Sequence, residues 1–359
     1  MFSITKRAEM PPLLSANRAV RGRFALRVIS NVSSADAHPS LDPRPCVDQP
    51  LICSIYVSDY ITSRRRGDFV TMPSFSILVL IVCRNRREMT IAAIERIKRQ
   101  RGAAISVAIA VFDDASTDGT PEAITERHPD VLLVHGDGAA FWNGGLYQLW
   151  SEVRDVPVDA FLWLNDDTFL DEDALARIMT AWDTVADSDQ RTILVGATRD
   201  EDGTVSYSGY DVVRTPLAFR LQRVLPHATA TTPVTTFNGN SVLIGRGVVE
   251  AIGINDPGFF HNLGDVDYGL RAREAGIPVL LLPGTLGMCE SNVAKRDRGY
   301  GSPQLSVWDQ WRKVNTHHGL HRQSWWRFTR RHSGKWWLLH FALPYRHLFR
   351  VWKWKSSSQ

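Results

Sequence analysis

Residues 75–83, FSILVLIVC, carry no charge, no proline and no glycine, and every position but Ser76 is apolar. A strand with one face in water alternates apolar and polar side chains; one that is apolar on both faces belongs inside a covered sheet. Outward from this stretch the pattern repeats. REMTIAAIERIKRQ (87–100) has the apolar spacing of a helix, and ISVAIAVF (105–112) is a second strand of the first kind. TPEAITERH (120–128) reads as a helix, DVLLVHG (130–136) as a strand and GGLYQLWSEV (144–153) as a helix. The strand AFLWL (160–164), the helix DEDALARIMTAW (171–182) and the strand TILVGAT (192–198) follow. Helices alternating with strands that are apolar on both faces predict an α/β fold with a largely parallel sheet. Ligands of such sheets bind at the carboxyl ends of the strands.

After position 200 the signals turn antiparallel and loop-rich. DGTVSYSG (202–209) reads as a hairpin and TTFNGNSVLIGR (235–246) as a strand with a glycine turn. GDVDYGLRAREAG (264–276) reads as a helix stopped at Gly276, and PVLLLPG (278–284) as a strand. Residues 1–72 show neither period and are expected to be poorly ordered. Met72 directly precedes the first strand, so an alternative start there is one reading of that extension. The main domain is placed at 73–295 and a tail at 296–359.

The 359 residues, 44% hydrophobic and 22% charged, suffice for one large domain with appendages or for two domains. The net charge of +4 is unevenly spread. From Gly301 to Gln359 there are 11 Lys/Arg against the single acid Asp309, a tail of +10 on a body of −6. Four cysteines, Cys46, Cys53, Cys83 and Cys289, have neither metal-ligand spacing nor the density of a disulfide framework, which predicts a reducing, cytoplasmic setting. The longest apolar runs are too short to span a bilayer, and no secretory leader is legible.

Three acidic pairs stand where strands should end or a helix begin. They are Asp113 and Asp114 in VFDDASTDGT (111–120), Asp166 and Asp167 in FLWLNDDTFLDEDAL (161–175), and Asp265 and Asp267 in HNLGDVDYGL (261–270). Singly, each has a structural reading. Asp114, Ser116 and Asp118 suit turns and helix caps, Asp171 suits a cap after the NDDT loop, and Asp265 suits the first turn of a helix. Together, carboxylate clusters converging on one sheet edge repel unless a cation lies between them. Mg²⁺ or Mn²⁺, held by one or two carboxylates with positions left for phosphates, is the economical solution and points to a nucleotide diphosphate.

The series SILVLIVCRNRRE, VAIAVFDDASTDGTPE, FLWLNDDTFLDEDAL and FFHNLGDVDYGLRAREAG resembles the family 2 glycosyltransferases of the GT-A fold, over about Phe75 to Cys289. That fold joins a Rossmann-like nucleotide-binding half, with a mostly parallel sheet, to a mixed acceptor-side half. FWNGGLY, FNGNSVLIGR and GDVDYGLRA are similar to bacterial rhamnosyltransferase-like enzymes of cell-envelope polysaccharide synthesis. The resemblance implies inverting, metal-dependent transfer of a hexosyl or deoxyhexosyl group from a UDP- or dTDP-sugar to a glycan or lipid-linked acceptor. It implies Asp265 as general base, with Asp267 as its rival. Asp114, Arg84 and Asn85 fall at the nucleotide, and Asp166 and Asp167 at the metal, Asp167 being the direct ligand. Departures are Cys83-Arg84 where relatives have Thr-Tyr, and Gly264 where the base motif usually has Glu.

Trp142 suits stacking under a sugar, or a structural indole. Asn238 and Asn240 flank Gly239 and suit acceptor hydroxyls or a tight turn. His261 is an acceptor-side candidate set against a structural histidine. The tail WWRFTRRHSGKWWLLHFALPYRHLFRVWKWK (325–355) mixes tryptophan with cations, a basic helical segment suited to an anionic membrane surface at the inner face of the cytoplasmic membrane. Packing on the domain and nucleic-acid binding compete with that reading, nucleic acid being the weakest. A dinucleotide oxidoreductase or P-loop enzyme is excluded because the first loop, CRNRRE, lacks either glycine pattern. The alternative of another class is a catalytically silent sugar- or lipid-binding scaffold, for which Gly264 is the best argument.

Overall fold

The structure, a computed structural model, describes residues 75–102, 104–187, 189–291, 306, 308–309, 311–312, 316 and 321–345. The expected order of residues 1–72 therefore lies outside the described residues, as does much of the tail.

Strand β1 (Phe75–Cys83) is buried at all nine positions, as its composition requires. It pairs in parallel with β2 (Ile105–Asp113) on one side and β4 (Ala160–Asn165) on the other, and β2 pairs in parallel with β3 (Leu132–His135). Alternate side chains of β1 feed two separate cores. Leu78, Leu80 and Val82 pack with Leu146, Leu149 and Trp150 of α3 (Phe141–Val153). Ile77, Val79 and Ile81 pack with Ile91, Ile94 and Ile97 of α1 (Arg87–Lys98), with Ile124 of α2 (Thr120–Arg127) and with Ile178 of α4 (Ala174–Val185). The sheet is thus covered on both faces, which is why its strands show no polar alternation.

The second half is mixed, as expected. Beyond β4 lies β12 (Ser241–Gly245), antiparallel to β4 and to β6 (Ile193–Arg199), and β6 in turn pairs in parallel with β13 (Val279–Met288). The short strands β5 (Phe169–Leu170) and β10 (Thr232–Pro233) pair with β13. The predicted hairpin at 202–209 is the closing arm of a larger one, in which β7 (Val205–Tyr207) returns along β6. A second, three-stranded sheet of β8 (Gly209–Thr215), β9 (Ala218–Arg223) and β11 (Thr236–Phe237) was not legible, since β8 and β9 are largely exposed and lack an apolar run. Helix α5 (Arg246–Ile252) follows β12, and α6 (Gly264–Glu274) ends ahead of Gly276, whose φ of +74° favours glycine.

In the tail, α7 (Arg322–His332) buries Trp325 and Phe328 against Phe259, Val266 and Leu270, and α8 (Trp337–Ala342) follows it. Helices α7 and α8 are therefore packed on the domain. Trp326, Trp336, Leu338 and Leu339 remain exposed. Among the described residues no helix is long and apolar enough to cross a membrane.

Candidate active site

The strand ends β1, β2 and β4 and the turn before β12 surround a cleft of about 980 Å³. Arg84, Asp114, Asp166, Asp167, Trp142, Asn238, Asn240, His261 and Asp265 are among the residues that line it. Acidic residues far apart in the chain thus share one rim of the sheet.

The loops after β1 and β2 are locked together. Asn85 donates its backbone N–H to Ser116 Oγ (2.8 Å), and Asn85 Oδ1 accepts from Thr117 N (2.7 Å). Asp118 accepts from Arg87 N at the start of α1 and from Thr120 N at the start of α2. Turn and cap chemistry therefore accounts for Asp118 and Ser116. Asn85 spends its side chain on this junction and does not line the cleft.

Asp114 is 1% exposed and accepts three backbone N–H groups, from Gly138 (2.9 Å), Ala140 (3.2 Å) and Phe141 (3.0 Å). Arg84 reaches the same carboxylate at 3.7 Å and donates to Gly138 O. Asp114 thereby fixes the chain entering α3, which presents Trp142. Trp142 Nε1 donates to Asn165 Oδ1 (2.8 Å) and its ring meets Trp163 edge-on, so it is both anchored and part of the cleft wall.

Asp166 and Asp167 end the β4 segment side by side. Asp166 is buried, and burial pushes its carboxyl up to about 7; Arg86 opposes that shift and Asp167 adds to it. One guanidinium nitrogen, Arg86 Nη1, lies 2.9 Å from Asp166 Oδ1 and 2.7 Å from Asp167 Oδ2. The cation that the electrostatics demanded is here supplied by the chain itself. Sequence reading missed Arg86; the only available signal was that requirement for a positive charge. Asp171, expected as a cap, instead forms a two-pronged ion pair with Arg199 (2.8 and 2.9 Å).

The carboxylate pair fits a hard divalent ion by donor type, and its rim position leaves space for further ligands. Among the described residues no group of three or more His, Cys, Asp or Glu side chains forms a cage. Such an ion would draw its remaining oxygens from water or from a bound molecule. Cys289, 3.5 Å from Asp167 Oδ1, has its thiol pushed up to about 12 by burial and by Asp167, and so stays protonated. Cys83 is buried and raised likewise, as an inert core position should be.

Asp265 opens α6 facing the cleft. Its Oδ2 accepts from Gly239 N (3.0 Å) and its Oδ1 from Val266 N (2.8 Å), while burial raises its carboxyl above the ordinary range. Gly239 has no room for a Cβ, which would stand 2.5 Å from the Trp142 ring; this glycine seats indole and carboxylate together. Asn238 and Asn240 do turn work: Asn238 Oδ1 accepts from Asn240 N, and the buried Asn240 side chain donates to Cys289 Sγ. His261 lines the cleft with its ring near Phe141.

Asp267 stands apart from this group. Its side chain has no exposed surface and is held by Arg271 (3.0 Å), Arg331 (2.6 Å) and His332 (2.8 Å), so it joins α6 to the tail helix and does not line the cleft. The reading of Asp267 as rival base on the acceptor side gives way to this ion-pair cluster. The partners lie up to 65 residues further along the chain, beyond the reach of any local pattern.

Four of the six non-glycine residues with positive φ among the described residues stand at this rim, Asn85, Ala115 and Leu263 in its loops and Phe141 as the first residue of α3. Strained backbone of that kind persists where surrounding contacts over-determine it, as at binding sites.

Residues 78–232 match the family described as Glycosyl transferase family 2. Two curated relatives, the N-acetylglucosaminyl-diphospho-decaprenol L-rhamnosyltransferases of Mycobacterium tuberculosis strains CDC 1551 / Oshkosh and ATCC 25618 / H37Rv, are 26% identical over 193 residues. The match covers 47% of this chain and spans 62% of the length of those relatives. Among solved structures, the mannosyltransferase PcManGT from Pyrobaculum calidifontis, in complex with GDP-Man and Mn²⁺, aligns at 15% identity and a TM-score of 0.48. That alignment covers 86% of this chain and 84% of the other. GalNAc-T7 with UDP, GalNAc and Mn²⁺ aligns at 12% identity and a TM-score of 0.45, covering 60% and 42%.

Proposed function

The chain carries a family 2 glycosyltransferase domain over residues 78–232, and from that premise we propose that it transfers a sugar from a nucleotide diphosphate to a hydroxyl of a lipid-linked glycan, with inversion. One observation carries the reading: Asp114, Asp166, Asp167 and Asp265 border a single cleft at the strand ends.

In this reading the nucleotide lies at the Arg84 and Asp114 end, with its loop held by the Asn85 junction. The diphosphate lies at Asp166 and Asp167, where a bound Mg²⁺ or Mn²⁺ supplies charge neutralisation to the leaving group. The donor sugar lies along Trp142, an apolar face of fixed orientation. Asp265 removes the proton of the attacking hydroxyl. Its raised proton affinity makes it a stronger base than an ordinary carboxylate, and the Gly239 amide orients it. His261 and Asn238 border the space left for the acceptor.

The M. tuberculosis relatives suggest an L-rhamnosyl donor and a polyprenyl-diphosphate-linked N-acetylglucosamine acceptor, and hence work on the cell envelope at the inner face of the cytoplasmic membrane. The exposed Trp326, Trp336 and Leu338 beside Arg330 and Lys335 suit contact with an anionic lipid surface there.

The deciding experiment offers UDP- and dTDP-sugars, dTDP-rhamnose among them, with a polyprenyl-diphosphate N-acetylglucosamine acceptor, and measures nucleoside diphosphate release with and without Mn²⁺ or Mg²⁺. Metal-dependent release that disappears in Asp167→Ala is expected. Absence of release from every donor under all conditions overturns the reading in favour of a silent scaffold.

A further inference from the structure

A divalent ion on Asp166 and Asp167 would have to take a position that the protein already fills. Arg86 Nη1 bridges Oδ1 of one carboxylate and Oδ2 of the other at 2.9 and 2.7 Å, as a small cation bound between them would. Two positive groups do not share that point. Like charges that close together repel strongly in a protein-surface dielectric, and a dication doubles the repulsion of a single charge. Metal entry therefore requires the guanidinium to leave.

Arg86 is built to leave. It stands on the short loop between β1 and α1, its side chain is 42% exposed, and it borders the cleft. A guanidinium withdrawn from two carboxylates into water loses two charge-assisted hydrogen bonds. Withdrawn onto a diphosphate it replaces them, because its planar donor fork matches phosphate oxygens. The cleft that would hold the diphosphate is the one Arg86 lines.

We propose that Arg86 is a displaceable internal counter-ion: without nucleotide it closes the Asp166/Asp167 pair to metal, and with nucleotide it moves to the diphosphate and lets the metal in. The inference rests on the metal-and-diphosphate reading above. Its consequence is thermodynamic. Metal and nucleotide must each strengthen the binding of the other by the same factor, because both act on one equilibrium, the position of Arg86.

The test measures Mn²⁺ binding to the full chain by electron paramagnetic resonance of free Mn²⁺, alone and with UDP or dTDP. Wild-type protein should bind Mn²⁺ weakly alone and about tenfold or more tightly with nucleotide, within the usual range of coupling. Arg86→Gln and Arg86→Ala should bind Mn²⁺ alone about tenfold more tightly than wild type and show a smaller gain with nucleotide. Adding Asp167→Asn to Arg86→Gln should remove the tight site. Thermal melting of each variant checks that the fold is kept, and the two Arg86 substitutions guard against a single misfolded protein. Equal Mn²⁺ affinity in wild type and both Arg86 variants overturns the role of Arg86 while leaving the glycosyltransferase reading in place. Nucleotide binding with no Mn²⁺ uptake by any of the proteins overturns the metal-dependent reading itself.

Discussion

Asn143 fills the space that a side chain at position 264 would need. A Cβ on Gly264 would overlap Asn143 Oδ1. Asn143 cannot yield, because its Nδ2 donates to Phe259 O (2.6 Å) and Asp256 O (3.0 Å) while Asn255 Nδ2 donates to its carbonyl and side-chain oxygens. The glycine is thus explained by packing, and it no longer favours a silent scaffold over an enzyme. Gly264→Ala should cost about 1–3 kcal/mol, the usual range for overpacking a tight interior. Urea denaturation checks this; a neutral substitution would mean that Asn143 moves freely.

Asp265 should control the chemical step and not donor binding. Asp265→Asn keeps the shape but can accept only one of the two backbone N–H groups, from Gly239 or Val266, and cannot take a proton as a base, so kcat should fall about 10²- to 10⁴-fold with donor KM little changed. A base must be ionised, so the rate falls as pH drops through its pKa. Burial raises that pKa, which moves the acid limb of the wild-type profile above the range of an ordinary exposed carboxylate. A limb at the ordinary position would reassign the base.

The junction of the tail with the domain should be acid-sensitive through Asp256. Burial opposes ionisation there, but the Gly258 amide, Arg327 (2.8 Å) and Arg331 (2.7 Å) hold its carboxyl below the usual range. A depressed carboxylate stabilises the fold above its unfolded pKa and ceases to do so as pH falls through its folded value. Asp256→Asn should therefore be destabilising at pH 7, with the difference from wild type closing below about pH 4. Urea midpoints across that range measure it.

Membrane contact should be tested on the surface, not by truncation. Trp325 and Phe328 are buried against α6, so removing the tail would damage the domain. Trp336→Ser with Leu338→Ser changes only exposed positions and should sharply reduce co-sedimentation with anionic vesicles while leaving thermal stability within about 0.5 kcal/mol. Unchanged vesicle binding would remove this surface from the account.

What the sequence disclosed and what it concealed divide along physical lines. The strand FSILVLIVC was legible because burial on both faces writes an uninterrupted apolar run, and Asp166 and Asp167 stood out because they interrupt one. The exposed hairpin of β8 and β9 wrote nothing comparable. Arg86 was one of several arginines in CRNRRE, and only its coordinates show that it bridges two carboxylates 80 and 81 residues away. Asp267 shared a motif with Asp265, yet one turns to the cleft and the other to the tail, a division made by helix geometry and not by composition.

Strand β12 runs against both of its neighbours, so the end of β4 meets the beginning of β12 at the same rim. Had that strand been parallel, the Asn238–Asn240 turn would have emerged at the opposite edge of the sheet, a strand's length from Asp166. The reversal brings the connections leading into β12 and α6 up against the loops following β1, β2 and β4, so that Gly239 packs on Trp142 and Gly264 on Asn143, and a change in one group is felt by the other.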